Sequence, residues 1–285
     1  MNSPIEDSLK QLLNGKLNAL EAYLNADVLV YFGDLGPLPP NIFTKIIEEL
    51  KNDVVKHDKL YIILTTGGGS AETVERYVNI LRYHYKEICF IVPDYAYSAG
   101  TIFCMSGDSI LMDYSSVLGP IDPQVLNKDK KYVAALGYLD KVNEFISKAA
   151  AGTLTNAELI WLKEIDLGEL RSFEQARDLT IDLLKRWLVE YKFKNWNKHK
   201  NGKTVTTGEK EKRAEKIAKD LSDNNIWKSH GKGITISELT ALKLRIEDFS
   251  GDLKLRPLVR DYYNAMDEYI RMRNINLFIH NRVFL

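Results

Sequence analysis

The chain has 285 residues, 45% of them apolar, with 39 Lys and Arg balanced by 39 Asp and Glu. That length and composition fit one large domain or two small ones with ample material for a core. Zero net charge removes any bulk electrostatic case for nucleic acid or an anionic membrane. In chain order, Leu9, Leu12, Leu13, Leu17, Leu20 and Leu24 recur at helical spacing and predict an amphipathic helix over 5–24. This opening carries neither the basic nor the apolar region of a signal peptide, and no later stretch approaches the ~18–20 apolar residues of a membrane span. The expectation is a cytoplasmic protein with no membrane partner.

An apolar strand is predicted at 27–32, broken by GPLPP at 36–40, with a helix over 41–52 whose start carries proline. A second strand, 60–64, ends in Thr65-Thr66-Gly67-Gly68-Gly69-Ser70. A helix follows with Val74, Tyr77, Val78 and Leu81 on one face. A third strand, 88–92, leads to Ser98 between Tyr97 and Ala99-Gly100, and a fourth lies at 109–112. Strands alternating with helices argue for parallel βαβ crossovers and an α/β core. Cys89 and Cys104 fall in apolar contexts and read as reduced core residues.

Residues 138–192 read as helical, and Thr155 with Glu158 forms a capping-box signature. Residues 185–219 are rich in Lys and Arg, interleaved with Trp187, Tyr191, Phe193 and Trp196. A solvated helix face explains that stretch; a nucleic-acid or acidic-partner surface is the alternative. Val259, Tyr262, Tyr263, Met266 and Ile270 form one stripe of a helix over 259–273, suited to packing. The organisation expected is an N-terminal helix (1–25), one core domain (26–250) with a basic helical insertion at about 185–225, and a C-terminal helical extension (251–285).

The segment 60–125 carries the chemistry. Two strand ends present glycine backbone N–H groups and a serine hydroxyl, and acyl transfer needs both a nucleophile and donors for the oxyanion. A phosphate cradle at the helix start is the rival, but a nucleotide P-loop requires Lys then Ser or Thr after the last glycine. Here Gly69 is followed by Ser70-Ala71. No zinc-type spacing of Cys and His is present, so no metal or other cofactor is expected.

The order strand, Gly-rich turn, helix, strand, Ser-Ala-Gly resembles the Clp/crotonase-like fold of repeated βαβ units, shared by the Clp protease proteolytic subunit, signal peptide peptidase A and the crotonases. SAGTIFCMSGDSILMDYSSVLGPIDPQ, AALGYLDKVNEFI and WKSHGKGI resemble, more closely, the SDH (serine dehydrogenase proteinase) family of Clp-fold serine proteinases. The resemblance spans roughly residues 25–250. It implies a serine endopeptidase with Ser98 as nucleophile, Gly68 (or Gly69) and Ala99 as oxyanion donors, a protein or peptide substrate and a homo-oligomeric ring. An unfoldase partner is possible within such a family, and no docking motif for one is legible.

The base is open at this stage. Leu118-Gly119-Pro120 stands where Clp protease has its histidine, and LGPID looks instead like the corresponding strand of signal peptide peptidase A, which uses a serine–lysine dyad. Lys141 and Lys148 are candidates on that pattern, each also readable as a surface lysine. His230, in Trp227-Lys228-Ser229-His230-Gly231, is the other, since counting back from Thr235-Ile236-Ser237-Glu238 sets it beside the catalytic aspartate's position in Clp protease. Asp122 could orient such a histidine or simply make a turn before Pro123. A crotonase-like acyl-CoA enzyme and an inactive ring scaffold are the alternative functions.

Overall fold

The computed structural model describes residues 4–36, 38–126 and 132–285. Its elements run α1 (Pro4–Leu24), β1 (Asp27–Phe32), α2 (Pro40–Lys51), β2 (Lys59–Thr65), α3 (Ala71–His84), β3 (Glu87–Val92), β4 (Tyr95–Ala96), α4 (Ala99–Met105), β5 (Ser109–Met112), β6 (Val117–Leu118) and β7 (Gln124–Leu126). They continue as β8 (Tyr132–Ala134), α5 (Ala135–Ala150), α6 (Asn156–Lys163), α7 (Leu167–Trp187), a π-helical turn (Leu188–Lys192), α8 (Thr207–Leu221), α9 (Asn224–Trp227), α10 (Ile236–Ala241), β9 (Glu247–Asp248), α11 (Leu255–Arg273) and β10 (Phe278–His280). Of the GPLPP break, Pro37 lies outside the described residues.

Six strands form the main sheet in the order β10-β1-β2-β3-β5-β9. All neighbours are parallel except β10, which pairs antiparallel with β1 through Val30 and His280. The α/β fold expected from the alternation is the one observed. Strand side chains alternate between faces. Leu29, Tyr31, Ile62, Leu64, Phe90 and Val92 join the core covered by α2, α3, α4, α7 and α8. Val28, Val30, Ile63, Cys89, Ile91 and Leu111 join the core under α1 and α11. Burial on both faces is why these strands read as unbroken apolar runs.

Helix starts follow the capping chemistry. Ser70 accepts from the Thr73 N–H at the start of α3, and Thr155, Thr206 and Thr235 each close a capping box with Glu158, Glu209 and Glu238. The buried face of α3 is Val74, Tyr77, Val78 and Leu81. In the basic stretch, Trp187 and Phe193 turn into the core, while Lys185, Lys216 and Lys219 pair with Glu215 or Asp220. Both cysteines are buried and free. Among the described residues no helix is long and apolar enough to cross a membrane.

Candidate active site

The site forms at the carboxyl ends of β2 and β3, the usual place for a ligand in an open parallel sheet. After β2 the chain turns through Gly68 (φ 124°) and Gly69 (φ 144°). A Cβ on Gly69 would sit 1.9 Å from the Leu35 carbonyl oxygen, and one on Gly68 would sit 3.1 Å from the Ser98 Cβ. Only glycine lets the turn lie against both the β1 loop and the serine. Leu35 fixes the turn, donating to the Gly68 carbonyl (2.7 Å) and accepting from the Ser70 N–H (2.7 Å).

Ser98 itself has φ 51° and ψ −114°, a conformation that an L-residue adopts at a cost. The surrounding bonds hold it there. Thr66 donates its N–H to Tyr95 O (3.2 Å) and accepts from the Tyr97 N–H (3.0 Å), binding β4 beside the glycine turn. The buried Thr101 hydroxyl lies 2.9 Å from Ala96 O and 2.8 Å from Gly119 O, and it accepts from the Gly119 N–H at 3.0 Å. Gly119 packs so closely on Tyr97 that a Cβ would come within 2.3 Å of its ring. Ser98 is 8% exposed.

Ala99 opens α4, so its N–H has no acceptor within the helix. The Gly68 N–H donates to Thr66 Oγ1 at 3.0 Å, whereas among the described residues the Gly69 N–H donates to no acceptor. His230 reaches the same cleft from the far end of the chain. Leu118 and Ile234 exchange two backbone bonds (3.1 and 2.7 Å), and Gly233 lies flush on Val117. These contacts dock the loop before α10 against β6. Nδ1 of His230 is buried and finds no hydrogen-bond partner among the described residues.

Ser98, Ala99, Gly68, Gly69 and His230 thus line one cleft of about 1100 Å³, with Asp34 and Glu72 also in its lining. Lys141 and Lys148 are not in that lining. Lys141 is 54% exposed and paired with Glu144 at 2.8 Å, and it borders a separate cavity beside Phe145 and Trp161. Lys148 bonds Glu144 and Glu158, and these two carboxylates hold its ammonium above the ordinary lysine range. Asp122 is buried and its Oδ1 accepts the Leu136 N–H (3.1 Å) near the start of α5.

One wall of the cleft has no motif in the sequence. Ser172, Gln175, Ala176, Leu179 and Thr180 line it from α7. Their spacing of three and four residues marks a single helical face, and only that shared face could have pointed to them. Among the described residues no cluster of His, Cys, Asp or Glu is arranged to hold a metal ion.

Residues 49–207 match the family described as ClpP-like SDH-type serine proteinase. Two uncharacterised proteins of Methanocaldococcus jannaschii are similar over short stretches, 39% identical over 70 residues and 38% over 64. Those stretches span 25% and 22% of this chain and only 24% and 22% of the relatives' own length. Among solved structures, a mutant of the 1510-N membrane-bound stomatin-specific protease in complex with a substrate peptide aligns with a TM-score of 0.45 at 14% identity, covering 81% of this chain and 78% of that one. A mutant of ClpP1 from Listeria monocytogenes aligns with a TM-score of 0.46 at 10% identity, covering 83% of this chain and 99% of the other.

Proposed function

The chain belongs to the ClpP-like SDH-type serine proteinase family, and we propose that it is an endopeptidase acting through an acyl-enzyme on Ser98. Ser98 Oγ attacks the scissile carbonyl carbon while His230 takes the hydroxyl proton. The Ala99 N–H and the glycine turn receive the negative oxygen of the tetrahedral intermediate, through the Gly69 N–H rather than the Gly68 N–H, which Thr66 Oγ1 already holds. His230 then gives its proton to the leaving amine, and water, activated by the same imidazole, releases the acid and restores Ser98.

The observation that carries this reading is the conformation of Ser98, held at positive φ against the glycine turn in a cleft that His230 also lines. A strained serine beside unpaired donors is what a nucleophile requires and a structural serine does not. His230 is preferred to Lys141 and Lys148 as base because a lysine base must be desolvated and lowered toward neutral pKa. Lys148 is moved the other way by its carboxylate partners, and Lys141 stands exposed in an ion pair. A cavity of about 1100 Å³ exceeds the usual small-molecule pocket and suits an extended peptide. We further infer a homo-oligomer as the working form.

The test is covalent labelling with a fluorophosphonate probe, read by intact mass and peptide mapping. Wild type is expected to label at Ser98, and Ser98→Ala to lose the adduct. His230→Ala is expected to slow labelling by about 10²–10⁴-fold, with Lys141→Ala and Lys148→Ala close to wild type. A wild-type protein inert to the probe would overturn the assignment of Ser98, and full activity in His230→Ala would return the base to the lysines.

A further inference from the structure

Buried polar atoms in folded proteins are almost always hydrogen-bonded, and each exception needs a reason. Among the described residues, two of the exceptions line the Ser98 cleft: His230 Nδ1 and Thr180 Oγ1. The proposed mechanism gives His230 its role. Thr180 has none, although it is 1% exposed on α7.

The case of Thr180 is unusual for its setting. A threonine within a helix ordinarily gives its hydroxyl proton to the carbonyl three or four residues back. Thr180 makes no such bond. Its hydroxyl therefore keeps both a donor and an acceptor unused within the fold, at a residue that lines the cleft. Ile102, Ile121 and Leu179 share that lining and supply apolar walls. A charged group entering there would lose its hydration without a counter-charge from α7, because the residues that α7 contributes to the cleft carry none. A neutral polar group would be satisfied by the hydroxyl.

Resting on the endopeptidase reading above, we propose that Thr180 is a specificity-determining residue: its hydroxyl hydrogen-bonds a neutral polar side chain, a hydroxyl or carboxamide, of the peptide bound over Ser98. The preferred substrates are peptides with Ser, Thr, Asn or Gln at one subsite beside the scissile bond. The α7 wall, outside the strand-and-turn core that carries Ser98, sets that preference.

The experiment uses fluorogenic peptides that differ only in Thr or Val at one position, scanned across the positions flanking the cleaved bond. Thr and Val are nearly isosteric, so the ratio of kcat/KM isolates the hydrogen bond. Wild type is expected to favour Thr about three- to tenfold at one position, the range of a single neutral hydrogen bond. Thr180→Val should bring that ratio to about one, and Thr180→Ser should keep it. No Thr preference at any position, or a preference that survives Thr180→Val, overturns the proposal. Fluorophosphonate labelling of Ser98 is run on each variant. Labelling without the preference condemns the Thr180 role alone, whereas an unlabelled wild type condemns the endopeptidase reading and this inference with it. Thermal melting gives a readout free of activity. Replacing an unpaired buried hydroxyl by methyl should leave the melting temperature unchanged or raise it by roughly 1–3 °C. A fall of several degrees would mean that the hydroxyl is bonded within the fold, and would overturn the proposal.

Discussion

His280 shows how one buried side chain ties stability to pH. It is wholly buried, with Nδ1 2.6 Å from the Tyr262 hydroxyl and Nε2 2.7 Å from Asn14 Oδ1. The neutral ring fits both partners, accepting from Tyr262 and donating to Asn14. A second ring proton would face the Tyr262 oxygen and force that hydroxyl to find another acceptor. Burial accordingly pushes the imidazole down to about 4 from its ordinary 6.5. Between those values the unfolded chain binds a proton that the folded chain refuses, so stability falls as pH falls through the window and is unaffected by this group above it. The expected loss attributable to His280 is on the order of 3 kcal/mol from pH 7 to pH 4. Urea titrations at both pH values on wild type and His280→Gln check it. The glutamine variant should start less stable and lose less on acidification, and equal slopes would remove His280 from the account.

At the scale of elements, α4 and β6 act as one unit through Thr101. Its buried hydroxyl sits between Ala96 O and the Gly119 backbone, two groups that also bond each other through the Gly119 N–H and Ala96 O (3.0 Å). Thr101→Val leaves the Gly119 carbonyl short of its donor, while the Gly119 N–H keeps Ala96 O as acceptor, and should cost about 1–2 kcal/mol. Because the same bonds hold the Ser98 turn, labelling of Ser98 should also slow by roughly tenfold, with Thr101→Ser restoring both. Melting curves and labelling rates on the two variants decide whether the link positions the serine or only stabilises the fold. The same elements explain what could be read from sequence. The strands 27–32, 60–64, 88–92 and 109–112 were legible because burial on both faces leaves continuous apolar runs, and the Gly68 and Ser98 turns because backbone crowding demands particular residues. Exposed Glu247–Asp248 and the three-residue Phe278–His280 were not legible, since each becomes a strand only by pairing with a distant partner. The α7 wall was hidden for a similar reason: Gln175 and Thr180 carry no local signal and gain meaning only when α7 packs beside α4.

Over the whole molecule, the two ends of the chain close on the same face of the sheet. Arg273 reaches Glu6 (2.9 Å), His280 reaches Asn14, and Arg282 gathers Glu21 (3.0 Å), Asp27 (2.8 Å) and Asp53 (2.6 Å). Arg282 also donates to the Val55 carbonyl (2.6 Å), so one side chain joins the tail to α1, β1 and the loop before β2. It is 10% exposed and Asp27 is fully buried. Removing one partner of a buried ion network leaves the others uncompensated, at about 3 kcal/mol or more. Arg282→Met is therefore expected to lower the melting temperature at pH 7.5 by roughly 6–12 °C for a chain of this size. The penalty should itself depend on pH. Burial already raises the Glu21 carboxyl above its ordinary value, with Arg282 pulling against it. Without the arginine Glu21 rises further, and the folded variant binds a proton that wild type does not. The variant thus regains stability relative to wild type as pH falls, and the gap in melting temperature should narrow between pH 7.5 and 5.5. A gap that stays constant or widens over that range would show that Arg282 acts by packing its aliphatic stem rather than by neutralising the buried carboxylates.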